Sequence, residues 1–125
     1  MTSRLRLELL QWYALLGGAL AWAGQHVLDY FVSAAGCSTS VGHWHVNMGL
    51  WQTLVGIAAL AGVLLAELAA YRVYQATKNV DENAPGPDGR QRFFAEAALL
   101  GNVLFLMLVL LDTAGGVYHL NCQVA

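Results

Sequence analysis

An ionisable side chain inside a long apolar run is costly to place in a membrane, which makes it a functional candidate by default. The chain of 125 residues has several such side chains. Gln25, His26 and Asp29 occupy one helical neighbourhood, with Asp29 four residues after Gln25 and three after His26. That spacing suits a haem ligand, a quinone hydrogen-bond partner, a proton relay, or a plain His–Asp pair that packs helices together. A second stripe, Asn102, Phe105, Val109, Asp112, Gly116 and His119, recurs at steps of three or four and shares a face. Asp112 is its costly member and has two expected partners, His119 on its own helix or His26 across an interface. A weaker stripe runs through His45, Gly49, Gln52 and Gly56.

The segment Gly42-His43-Trp44-His45-Val46-Asn47-Met48 offers two imidazoles and a thioether, a soft ligand set that suits copper. His43, His45 and Met48 are therefore the candidate metal ligands, and His26 is the candidate cofactor ligand. Bis-histidine haem would need two histidines at matching depth. His26 is deep, whereas His45 and His119 sit at the rim. Haem and copper stay open as cofactors. No nucleophile–base arrangement, Gly-rich phosphate loop or zinc signature is present, so an enzyme acting alone is not expected. Glu67 and Glu96 lie close enough in depth to Arg72 and Arg92 for interfacial ion pairs.

The elements that would position these residues are helices. Composition is 58% hydrophobic and 11% charged, far from the soluble average. Spans need about 20 apolar residues, and candidates cover roughly 9–33, 46–72 and 93–118. The first could be a signal peptide, with Arg4 and Arg6 ahead of it and Ala21-Trp22-Ala23 as a small-x-small site. Its apolar stretch continues past that site through Val27, Leu28, Tyr30, Phe31 and Val32, which favours a retained helix. All six basic residues fall at or near the N-terminus and the 73–91 connection. The positive-inside rule then puts the N-terminus in the cytoplasm and the C-terminus on the periplasmic or extracellular side. Trp12, Tyr13, Tyr71 and Tyr74 suit the inner interface, and Tyr30, Trp44 and Trp51 the outer one. The string from Ala84 to Gly89 holds both prolines and reads as exposed loop, with the third helix starting near Arg92. A net charge of −2 with no basic stripe argues against a nucleic-acid partner.

Gly17, Ala21 and Gly24 form a small-residue face for close helix approach. Together with the stripe on the third helix, this face is expected to exceed what the second helix can fill, leaving an interface for another chain. Cys37 and Cys122 would both lie outside, where disulfides persist, and they are expected to pair.

Several strings resemble a family of small three-helix bacterial membrane proteins associated with cytochrome c oxidase genes. They are Gly17-Gly18-x-Leu20-Ala21-Trp22, His26, Tyr30 and Cys37, then Arg90-x-Arg92-Phe93-x-Ala95, Leu104-Phe105-Leu106 and Cys122. The chain departs from that pattern at Ala19, where the family tends to have Pro after the Gly pair, and in having no outer Pro. The resemblance implies a respiratory-membrane setting and a cysteine pair, and it supplies no catalytic residues.

The expectation is an all-α, multi-pass protein of the bacterial inner membrane, a single transmembrane domain over 1–125. Its expected partners are the lipid bilayer and other membrane subunits. The expected role is a non-catalytic accessory subunit or assembly factor of a cytochrome oxidase-type complex. Two alternatives stand beside it. One is a redox or metal module binding haem, quinone or copper at the outer face. The other is an oligomeric transporter or channel component.

Overall fold

The computed structural model describes residues 2–37 and 47–118. Three helices make up this part of the chain: α1 (Thr2–Cys37), α2 (Met48–Thr77) and α3 (Pro87–Tyr118). Every pair of helices is in contact. The contacts Gly17–Ala66 and Ala21–Gly62 run in opposite senses along the chain, so α1 and α2 are antiparallel. The contacts Gly56–Thr113 and Gln52–Gly116 make α2 and α3 antiparallel too, and α1 and α3 parallel. The bundle therefore goes up, down and up.

Helices α2 and α3 are long and apolar enough to cross a membrane. Helix α1 is the longest, at 36 residues, but it is not apolar enough to meet the same standard. This departs from the expectation of three equivalent spans. Gln11, Gln25, His26 and Asp29 dilute its apolar run, and the first two are almost wholly buried within the bundle.

Helix ends also differ from expectation. Helix α3 begins at Pro87, not near Arg92, and α2 continues to Thr77. Proline is well tolerated in a first helical turn, where its missing N–H would have had no partner. Asp88 in the same turn complements the helix dipole. The connection 78–86 is consequently short. Val80 N–H donates to the Thr77 carbonyl at 3.0 Å, and Ala84 N–H donates to that of Asp81 at 3.0 Å. Gly86 takes φ +86°, which a residue with a side chain resists. The Arg92 guanidinium donates to the Thr77 carbonyl at 3.4 Å and lies 4.5 Å from the Tyr74 ring centroid. It thus places a cation at the C-terminus of α2. At the other end, Asn47 caps α2 by accepting from Leu50 N–H at 3.2 Å.

The interior is small and polar, and the exterior large and apolar. Ala14, Ala59, Ala66, Ala69, Ala70, Ala95 and Ala98 are buried, and the bulkiest fully buried side chains include Gln11, Gln25 and Asn102. Leu20, Leu100 and Leu111 stand outside at 68%, 73% and 67% exposure. A water-soluble bundle does the reverse, since burying Leu and Phe drives its folding. Alanine and glycine in the contact let backbones approach closely, the packing expected when the solvent is itself apolar.

Candidate functional site

The ends of the bundle differ in chemistry. Arg4 and Arg6 on α1, Arg72 on α2, Lys78 just beyond it, and Arg90 and Arg92 on α3 all lie at the end where α1 begins. Toward the opposite end, all three helices contribute to a polar cluster. This is the candidate site.

Asp112 of α3 is at its centre. Trp22 Nε1 donates to Asp112 Oδ2 at 2.8 Å, and His26 Nδ1 lies 3.4 Å from the same oxygen. Trp22 and His26 are one turn apart on α1, and their rings sit 5.8 Å apart. Trp22 also packs on Phe105 of α3, with ring centroids 6.1 Å apart. Asp29 follows about one turn beyond His26. Its Oδ1 is buried and accepts no hydrogen bond from the described residues. The expected partnership of Asp112 with His26 across the interface is therefore present. His119, the other expected partner, lies outside the described residues.

Beneath this layer Gln25 Nε2 donates to Thr113 Oγ1 at 2.8 Å, and the Thr113 hydroxyl donates in turn to the Val109 carbonyl at 2.7 Å. Gln52 Nε2 reaches Ser33 Oγ at 3.4 Å. Gly56 gives Thr113 room, since a Cβ there would overlap the Thr113 side chain. Gly116 does the same for Gln52. The Oε1 atoms of Gln25 and Gln52 are buried with no donor among the described residues. The described members of both stripes turn inward, while His45 and His119 lie outside the described residues.

His26 and Asp29 are not both enclosed by the bundle. The His26 side chain is 66% exposed and that of Asp112 32%. The cluster is thus partly open to the exterior, where Val27 and Leu28 of α1 and Leu108 and Leu111 of α3 are also exposed. Spacing put His26 on the face of Asp112 but could not show how far that face opens.

A second polar position lies midway along the bundle. Asn102 Nδ2 donates to the Ala14 carbonyl at 2.9 Å, and the Asn102 side chain fills the space left by Gly18. Glu67 lies close to Asn102, and its Oε2 is buried with no hydrogen-bond partner among the described residues. No ion pair joins Glu67 to Arg72 among the described residues, contrary to expectation, whereas Arg92 and Glu96 pair at 2.6 Å. An α2 face that points Glu67 at α3 turns Arg72 away from it, because five residues advance a helix by more than one full turn.

The Gly17, Ala21 and Gly24 face is mostly filled from within. A Cβ on Gly17 would sit 3.0 Å from Ala66 Cβ, and one on Gly62 would sit 3.2 Å from Ala21 Cβ. Only open space surrounds Gly24. On this face only Gly24 is left open among the expected contact positions, and His119 of the α3 stripe lies outside the described residues. Close Gly–Ala contacts make the bundle tight enough to bury Gly17 and Asn102 and to cover part of Ala21.

Among the described residues no three His, Cys, Asp or Glu side chains gather as a metal site. His43 and His45 lie outside the described residues. Met48 opens α2, and its sulfur lies against Gly36 of α1. Cys37 ends α1, and Cys122 lies outside the described residues. Trp22, Thr113 and Ser33 were missed as members of the cluster. For Trp22 the signal was available, since it stands three and four residues before Gln25 and His26.

Comparison with protein-family models, curated proteins and solved structures finds no match to this chain.

Proposed function

We propose that this chain is a membrane-embedded, non-catalytic subunit or assembly factor, docking on a larger complex through the wall where His26, Asp29 and Asp112 open. The observation that carries this reading is a half-exposed ionisable cluster on an otherwise apolar exterior. In lipid such groups are expensive, and a facing helix with hydrogen-bonding side chains would relieve that cost. The Leu-rich exterior of α2 and α3 supports membrane embedding, with α1 inserted as the third helix because its Gln11 and Gln25 are covered by the other two. The clustering of basic residues at one end supports a cytoplasmic N-terminus. A respiratory, cytochrome oxidase-type setting rests on the resemblance in the strings around Gly17, Arg90 and Leu104. Pairing of Cys37 with Cys122 on the outer side belongs to the same proposal.

Co-purification tests it. A tagged chain extracted from native membranes in mild detergent should bring defined membrane subunits with it. His26→Leu, which removes an exposed side chain and leaves the Trp22–Asp112 bond, should release them while the bundle stays folded. A wild-type chain running alone, or a variant that keeps every partner, contradicts the reading.

One feature favours a second reading, the redox module. An imidazole whose Nδ1 faces a carboxylate is oriented as haem- and metal-binding histidines commonly are. His26 has that arrangement on an exposed surface. A Soret band in the purified wild-type chain that disappears in His26→Leu would establish it. Its absence from protein purified under native conditions would rule out haem at this position.

A further inference from the structure

Two arginines face a groove at the basic end of the bundle. Arg6 of α1 and Arg72 of α2 line a cavity of about 670 Å³ with Ser3, Leu9, Leu10 and Tyr13. The two arginines of α3 at this end are occupied: Arg90 reaches Glu8 at 3.4 Å and Arg92 reaches Glu96 at 2.6 Å. Neither Arg6 nor Arg72 is within ion-pair distance of a carboxylate among the described residues. The groove therefore carries two positive charges with no carboxylate paired to them among the described residues.

Its walls are apolar. Leu9 and Tyr13 are exposed along it. The Tyr13 hydroxyl is already committed, donating to the Gly62 carbonyl at 3.1 Å, so the tyrosine offers its ring to the groove. Tyr13 lies seven residues beyond Arg6, about 10 Å further along the helix. The site thus combines two cations with an apolar wall. A free inorganic anion would use only the cations. An amphiphile with an anionic head and hydrocarbon tails would use both.

We propose that this groove binds an anionic phospholipid, with the phosphate between Arg6 and Arg72 and the upper part of an acyl chain against Leu9, Leu10 and Tyr13. Arginine suits this role because its planar, permanently charged fork matches phosphate oxygens. The basic end is also the end that the positive-inside rule assigns to the cytoplasmic leaflet, where anionic lipid concentrates. The inference rests on membrane embedding but not on any partner subunit.

Native mass spectrometry of the full chain, released from detergent with phosphatidylglycerol or phosphatidylcholine added, tests it. The wild-type chain should retain phosphatidylglycerol in preference. Arg6→Gln with Arg72→Gln should cut that preference by roughly thirty-fold, about fivefold for each charge removed. Arg90→Gln, outside the groove, should leave it unchanged. Unaltered helical circular dichroism in the same detergent shows that the double variant is folded. If it is not, each single variant should show its own loss of about fivefold. Equal retention of both lipids by the wild type, or equal phosphatidylglycerol retention by folded variants, overturns the proposal. Displacement of the lipid by millimolar inorganic phosphate overturns it in favour of a free-anion site. Recovery of the chain from the soluble fraction instead of the membrane fraction overturns both this inference and the membrane reading. Loss of lipid preference alone overturns only the inference.

Discussion

Trp22 and Asp112 are joined by a 2.8 Å hydrogen bond that ties α1 to α3 across ninety residues of sequence. The indole can only donate, and the carboxylate oxygen that receives it also faces His26. This one oxygen therefore links a structural contact to the exposed imidazole. Trp22→Phe keeps the ring packing on Phe105 and removes only the donor. It should lower bundle stability by roughly 1–2 kcal/mol, near the upper range for interhelical hydrogen bonds in membranes. The midpoint of denaturation in detergent micelles measures this, and an unshifted midpoint means the bond contributes nothing net.

Glycine positions on the three helices should respond unequally. Gly56 faces the Thr113 side chain so closely that any Cβ collides with it, and Gly17 lies against Ala66. Gly24 has open space around it. Gly56→Leu should therefore destabilise the bundle by at least about 1–3 kcal/mol, the range for overpacking. Gly24→Leu should be nearly neutral and should insert normally. Thermal melts of the two variants in one detergent would separate them, and equal effects would mean that α2 and α3 are not packed as described.

The short connection between α2 and α3 should be sensitive to pH. Glu82 is exposed there, and a hydrogen bond with Glu96 is the main cause holding its carboxyl above the ordinary glutamate range. A raised pKa in the folded state stabilises the protonated form. That contribution is complete below the ordinary value, about 4.3, and is lost as pH rises through the raised one. Amide exchange in 78–86 should therefore be slower at mildly acidic pH than at neutral pH, after correction for intrinsic rates. Glu82→Gln, which keeps a hydrogen-bond donor without the charge, should flatten that difference. An unchanged profile in the variant would assign the effect to another group.

Much of the bundle was legible because charge and apolar runs alternate so strongly. The basic residues marked one end, and Asn102, Val109 and Asp112 marked the inward face of α3. The start of α3 was not legible, because Pro87 was read as a breaker when it is also a good first helical residue. Rotation about the helix axis was harder still. Depth alone placed Glu67 beside Arg72, but their angular separation sends one toward Asn102 and the other into the groove with Arg6. The small-residue face showed that something packs on Gly17 and Ala21. Only the register of α2, with Ala66 and Gly62 opposite them, showed what. Gln11 gave no signal as a core residue, since a buried glutamine is improbable until its neighbours are known.

The disulfide makes a separate prediction. If Cys37 and Cys122 are joined as proposed, non-reducing peptide mapping of protein isolated under alkylating conditions should recover one cross-linked pair. The bond would close a loop of more than eighty residues and stabilise the fold by about 4 kcal/mol in the chain-entropy model. Recovery of both cysteines as alkylated monomers contradicts it.

The most direct measurement of the account is sidedness. In the Asn83→Cys variant, a membrane-impermeant maleimide should label the 78–86 connection in inside-out vesicles and not in intact cells. After mild reduction the native Cys37 and Cys122 should show the opposite pattern. That result would place the basic end in the cytoplasm and the His26–Asp112 cluster toward the outer face of a membrane-spanning bundle. Labelling of all three cysteines from the same side, or recovery of the chain in the soluble fraction, would contradict the account.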